Sequence, residues 1–361
     1  MKKITLLNPG PVNVTDKVKN SQLLGDLCHR EPEFSNLMEA IRKKLLEAFN
    51  IEKEYSAVLI TGSGTAALEM AVSSCLSPDR SILVIQNGVY GERIGKMADA
   101  YRMNKHTINY NWGEIPKLEE VEQKLQEDAS IEVIAMVHHE TTTGLLNPLP
   151  EIASLAKRHD KRLLVDCISS LGGDMINFEQ HPIDFAVGTA NKCIQGLPGV
   201  SFVLYRKKDL PRIKDIPPRS IYFSLAEYLR AQEQGDTLFT PAIQACYALN
   251  AALDELLEET TSGRIERYRK TAENLRKGFK EIGLEFLIPE SHQSNCLTAL
   301  KLPNDISYDW LHDKLKKNGF IIYAGQGLFN KKIFRIANMG NIQDEEFSRC
   351  LKVLKECFIG T

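Results

Sequence analysis

A single lysine, Lys192, lies in the loop Gly188-Thr189-Ala190-Asn191-Lys192-Cys193-Ile194-Gln195-Gly196-Leu197-Pro198-Gly199, between apolar runs at 183–187 and 200–205. Most lysines mark a solvated surface, and that is the plain reading of the others. Around Lys192, however, little is charged from residue 185 to residue 204. An ammonium held among apolar groups loses hydration, so its pKa falls and the free amine becomes a nucleophile toward carbonyls. This is the chemistry of a Schiff-base lysine, and it needs a carbonyl partner.

Other residue types could supply the rest of such a site. Gly62-Ser63-Gly64-Thr65 follows an apolar run and opens a helical pattern. The free amides of a helix N-terminus, its dipole and two hydroxyls make an anion cradle suited to a phosphate; a capped helix with a glycine turn is the alternative. Gly62-x-Gly64-x-x-Ala67 also fits a dinucleotide fingerprint loosely, but the next apolar run ends in Gln86-Asn87, without the acidic residue that holds a ribose. Asp166 ends the run Leu163-Leu164-Val165 and needs a partner there, either an arginine or cap, or a protonated pyridine nitrogen. Tyr90, read as lying in a loop between Gly88 and Gly91, suits a ring laid over a planar cofactor or a core tyrosine. Arg335 interrupts Phe334-Arg335-Ile336, either for a surface salt bridge or as a fork for a substrate's acidic group. His138-His139-Glu140 suggests a metal, but adjacent residues at a strand end face opposite ways, so no metal site is expected.

These residues need elements to hold them. Three- and four-residue spacing of Phe34, Leu37, Met38, Ile41, Leu45 and Phe49 predicts a helix. Strands are expected at 57–61, 81–85, 105–110, 132–137, 162–165, 183–187 and 200–205, with helical patterns between most of them. Such alternation predicts an α/β fold with a mostly parallel sheet covered by helices on both faces. Ser63, Tyr90, Thr141, Asp166 and Lys192 all follow strands, which is where ligands gather in these sheets. Beyond residue 241 come helices at 241–258 and 264–282. A smaller α+β region follows, with strands at 296–300, 320–323 and 333–336 and helices at 308–317 and 344–357.

Bulk properties exclude several classes of partner. A formal net charge of −2, without a basic arm, gives no case for nucleic acid or an anionic membrane. No run approaches the ~18 apolar residues of a membrane span. Asn8-Pro9-Gly10-Pro11 would interrupt any signal-peptide core. Eight scattered cysteines, none in a Cys-x-x-Cys pair, fit reduced thiols in a cytoplasmic protein.

Taken in order, Gly62-Ser63-Gly64-Thr65, Asn87-Gly88-Val89-Tyr90-Gly91-Glu92-Arg93, His139-Glu140-Thr141-Thr142-Thr143-Gly144, Asp166 with Ser169-Ser170, and Asn191-Lys192 resemble the class V aminotransferases of pyridoxal-phosphate fold type I. Within that class, Glu140-Thr141-Thr142-Thr143-Gly144-x-x-Asn147-Pro148 and Asn191-Lys192-Cys193-Ile194-Gln195-Gly196-x-Pro198-Gly199 are most similar to the branch that moves an amino group from 2-aminoethylphosphonate to pyruvate, giving alanine. The resemblance implies a large cofactor-binding domain over 16–255, a small domain from 1–15 and 256–361, and a homodimer. It implies that Lys192 carries pyridoxal 5'-phosphate, Asp166 pairs with the ring nitrogen, Tyr90 stacks on the ring and Thr141 bonds near its hydroxyl. Ser63, Gly64 and Thr65 would hold the phosphate, with Asn191 and with Thr240 of the neighbouring subunit; Arg335 would receive the substrate's acid. Three departures, Thr240-Pro241-Ala242-Ile243-Gln244, Tyr323-Ala324-Gly325-Gln326 and the loosely similar loop Arg219-Ser220-Ile221-Tyr222-Phe223-Ser224-Leu225, lie near the substrate end. Another small-acid aminotransferase of the class, using alanine or serine with glyoxylate, is therefore the alternative. A desulfurase would want a mobile cysteine, and Cys193 beside the lysine is in the wrong place for one.

Overall fold

The structure, a computed structural model, describes residues 4–359. Its centre is a seven-stranded sheet in the order Tyr55–Thr61, Val200–Arg206, Phe185–Thr189, Arg162–Asp166, Ile131–Val137, Ser81–Gln86, Asn104–Asn109. Val200–Arg206 runs antiparallel to both of its neighbours, and the other six strands share one direction. The reversal follows from the short 190–199 connection, which turns the chain back beside Phe185–Thr189 instead of crossing over through a helix.

Alternate residues of the central strands feed two separate cores, as the pleat requires. Leu83, Ile85, Ile134, Met136, Leu163 and Val165 pack on one face with Phe34, Leu45 and Leu249. Ile82, Val84, Val133, Ala135 and Leu164 pack on the other with Leu68, Val72 and Ile94. Because both faces are covered, these strands read as continuous apolar runs without polar alternation. The result is the expected α/β sandwich.

A third core gathers Leu7 with Leu300, Leu311, Phe320, Phe334, Ile336 and Leu354. The strand expected at 320–323 is two strands in two sheets. Phe320–Ile321 pairs in parallel with Thr5–Leu6, whereas Tyr323–Ala324 pairs with Ile333–Ala337, which also pairs with Leu297–Lys301. Ile322 stays fully buried between them. A short apolar run shows burial but not its pairing partner, and here the partner changes within four residues. The helix Leu225–Glu233 was not anticipated at all.

Candidate active site

Six strands end at one edge of the sheet, and every sequence-predicted residue except Thr240 and Arg335 lies on the segments leaving it. Lys192 sits in the hairpin loop after Phe185–Thr189 and is partly buried. The loop is braced from behind: the buried Arg264 donates to the carbonyls of Cys193 (3.2 Å) and Ile194 (3.1 Å), and Gln195 donates to the Tyr268 hydroxyl at 2.6 Å. Burial holds the Lys192 ammonium down at about 8, and the guanidinium charges of Arg335 and Arg93 push the same way. Its Nζ donates to the carbonyl of Pro9, so the N-terminal segment covers the amine.

Gly10 makes that cover possible. Its φ of 106° is a left-handed value, and a Cβ there would stand 2.7 Å from Lys192 Cδ and 2.8 Å from Cε and Nζ. Gly10→Ala should therefore displace the lysine side chain. Because misplacement by about 1 Å can cost up to a hundredfold in rate, we expect turnover to fall by about tenfold or more with a folded protein retained. Unchanged turnover would show that the lysine moves clear without consequence.

Asp166 ends its strand beside this loop and is buried. One oxygen accepts from the Ile168 amide at 2.9 Å, and no donor in the described chain reaches the other. Burial pushes its carboxyl up to about 6, against the pull of the Ile168 amide, Arg93 and Lys192.

The helices Gly64–Ser74 and Val89–Ala100 both begin at this edge, and they differ in a decisive way. At Val89–Ala100 the first-turn amides are already satisfied from within: Val89 donates to Thr142 Oγ1, and Tyr90 and Gly91 donate to one oxygen of Glu140, each at 3.1 Å. Gly88 makes room, since a Cβ there would collide with the Glu140 side chain. At Gly64–Ser74 nothing caps the helix; the Ser63 hydroxyl makes no hydrogen bond and is exposed. Of these two, Gly64–Ser74 has donors left to offer an anion.

Tyr90 is in the first turn of its helix, not in a loop, because Gly88 serves as the N-cap. Arg93, one turn on, lies over its ring at 4.7 Å and donates to Thr65 Oγ1 at 3.0 Å. Thr141 is buried with a hydroxyl that has no partner, and its carbonyl accepts from Arg335 Nη1 at 2.8 Å. Arg335 is no surface salt-bridge residue. It is 2% exposed, and its Nε donates to the Ala324 carbonyl at 3.0 Å. Its Nη2 is left without a chain partner and is still reachable from outside. Asn191 accepts from the Thr189 hydroxyl at 2.9 Å, which leaves its amide group free. Thr240 is exposed on the surface near Thr61, whose hydroxyl accepts from the Ala242 amide.

The sequence assigns no site role to Pro9, Gly10, Arg93, His139 or Glu140, the last of which acts as a remote helix cap. Burial holds His139 down to about 3, its Nδ1 lies 3.1 Å from the Ser169 carbonyl, and its buried Nε2 has no partner. Glu140, with its carboxyl pushed up to about 7 by burial, lies in the segments that carry the family resemblance, but the residues around it give no sign of a capping role. The local signal for its actual role was the cap-deficient Gly88-Val89-Tyr90 segment.

The arrangement joins an amine of lowered pKa, a buried carboxylate with a free oxygen, an open helix N-terminus and a guanidinium with a free donor. The family model for class V aminotransferases matches residues 17–332. A 2-aminoethylphosphonate–pyruvate transaminase from Phocaeicola vulgatus is 35% identical across 98% of this chain and 99% of its own. Among solved structures, an alanine–glyoxylate aminotransferase from Nostoc superposes with a TM-score of 0.92 at 26% identity, covering 99% of this chain and 95% of that one. A subgroup IV aspartate aminotransferase from Thermus thermophilus gives 0.90 at 28% identity over 98% and 99%.

Proposed function

The chain belongs to the class V aminotransferases, and from that premise we propose that it binds pyridoxal 5'-phosphate and transfers the amino group of 2-aminoethylphosphonate to pyruvate, giving phosphonoacetaldehyde and alanine, or the reverse. The observation that carries this reading is the pairing of a deprotonatable Lys192 with an open phosphate cradle at Gly64–Ser74, beside a capped helix that could not serve. The residues fit the cofactor. Asp166 has a free oxygen for a ring nitrogen, the Thr141 hydroxyl is unclaimed, and Ser63, Gly64 and Thr65 offer donors to a phosphate. Asn191 would add an amide, and Thr240 would reach the phosphate from a second copy in a homodimer. Residues 16–255 would form the large cofactor domain, and 1–15 with 256–361 the small domain; 1–3 and 360–361 lie outside the described residues.

When bound, the cofactor supplies a carbonyl that takes up amines and a ring that accepts an electron pair. Lys192 would hold it covalently and then, released by the donor amine, move a proton at its Nζ. Asp166 would keep the ring nitrogen protonated, and Tyr90 would fix the ring plane. Arg335 would seat the phosphonate in one half-reaction and the carboxylate in the other through its free Nη2. Arg335→Lys keeps the charge but gathers every donor on one nitrogen, so it loses the planar fork whose Nε and Nη1 reach the separate Ala324 and Thr141 carbonyls and leave Nη2 for the substrate. We expect KM for both acids to rise about tenfold or more. Normal KM for both would place the acid site elsewhere.

The decisive experiment mixes the protein with 2-aminoethylphosphonate and pyruvate and measures alanine. Likeness to the Nostoc enzyme makes alanine with glyoxylate the comparison. Turnover of that pair alone would replace the phosphonate assignment.

A further inference from the structure

Arg93 is a cation in the site with no counterion. No carboxylate of the described residues lies within ion-pair distance of it, and its neighbour Glu92 turns instead to the Trp112 indole at 2.7 Å and toward Lys96 at 3.9 Å. Its guanidinium is fixed by two contacts, the Tyr90 ring at 4.7 Å and the Thr65 hydroxyl at 3.0 Å. Thr65 belongs to the first turn of the uncapped helix. Because Thr65 Oγ1 accepts from Arg93, its own hydroxyl proton is turned away and polarised for donation to an anion.

Charge balance gives the arrangement a purpose. A helix N-terminus presents about half a positive charge. A phosphate monoester carries about −1.5 to −2 at neutral pH. Neutral hydroxyls do not close that gap, and Lys192 is committed to the carbonyl. A partly buried guanidinium without a partner is costly until an anion arrives.

We propose that Arg93 is the cationic wall of the phosphate site, bonding the cofactor's phosphate across Thr65 while Tyr90 holds the guanidinium in place. This rests on the pyridoxal-phosphate reading above and adds a residue to it.

The test compares two ligands that differ only in the phosphate. Dissociation constants for pyridoxal 5'-phosphate and for pyridoxal are measured by absorbance on the wild type, Arg93→Gln and Arg93→Lys. We expect Arg93→Gln to weaken the phosphorylated ligand by about ten- to a hundredfold and to leave pyridoxal unchanged. Arg93→Lys, which keeps the charge and guards against a variant that fails to fold, should lose less and with the same selectivity. Equal weakening of both ligands would make Arg93 a packing residue for Tyr90 and overturn the proposal, as would no weakening at all. A wild type that forms no adduct with either ligand would overturn the cofactor reading, and this inference with it.

Discussion

Lys192→Ala removes turnover and leaves no site for covalent attachment. In the wild type, reduction with borohydride should fix the cofactor's mass on the peptide bearing residue 192; in the variant no peptide should gain it. The expectation follows from how burial alters the amine. At the ordinary value of 10.5, fewer than about one lysine in a thousand is neutral at pH 7, whereas at about 8 roughly one in ten is. The sign is that of a desolvated cation: burial favours the neutral form, so reactive amine accumulates as pH rises toward 8. General acid–base transfer by a placed group is worth about 10²–10⁴ in rate, and the covalent anchor is lost besides. Wild-type turnover in the variant, or the same mass found on another lysine, would end this assignment.

Asp166→Asn should be the second largest loss. The substitution keeps the volume and the bond from the Ile168 amide but removes the charge. An opposite charge close by shifts a partner's pKa by about one to three units, so removing it should cost about 10 to 10³ in turnover. Cofactor mass should still attach at residue 192. Burial raises the carboxyl to about 6, and a protonated ring nitrogen beside it would pull that value back down, so turnover in the parent protein should persist through pH 6 and fall only below it, as the carboxylate is neutralised. A variant with near-normal turnover would contradict the pairing.

Much of the site was legible before any coordinates, and particular residues show why. Lys192, Asp166 and Ser63 follow apolar runs that can only be buried strands, so their place at one sheet edge follows from strand direction. Tyr90 was placed correctly at that edge but in the wrong element, because two glycines flanking it looked like a turn. Its helix starts there because Glu140, about fifty positions away in sequence, supplies the missing cap. Arg335 could not be told from a surface arginine, since a five-residue strand does not reveal that its side chain crosses to the Thr141 carbonyl.

The sequence alone determined the α/β alternation and the family, and it singled out the residues proposed to carry the chemistry, because those depend on local hydrophobic runs and on motifs whose residues are neighbours. Only the tertiary structure decided which helix N-terminus is open and which is capped, that Pro9 and Gly10 cover the amine of Lys192, and that Arg93 stands beside Thr65 with no carboxylate partner among the described residues. Each of these is a contact between segments far apart in the chain. Such contacts are fixed by packing geometry, which leaves no periodicity in the sequence to read.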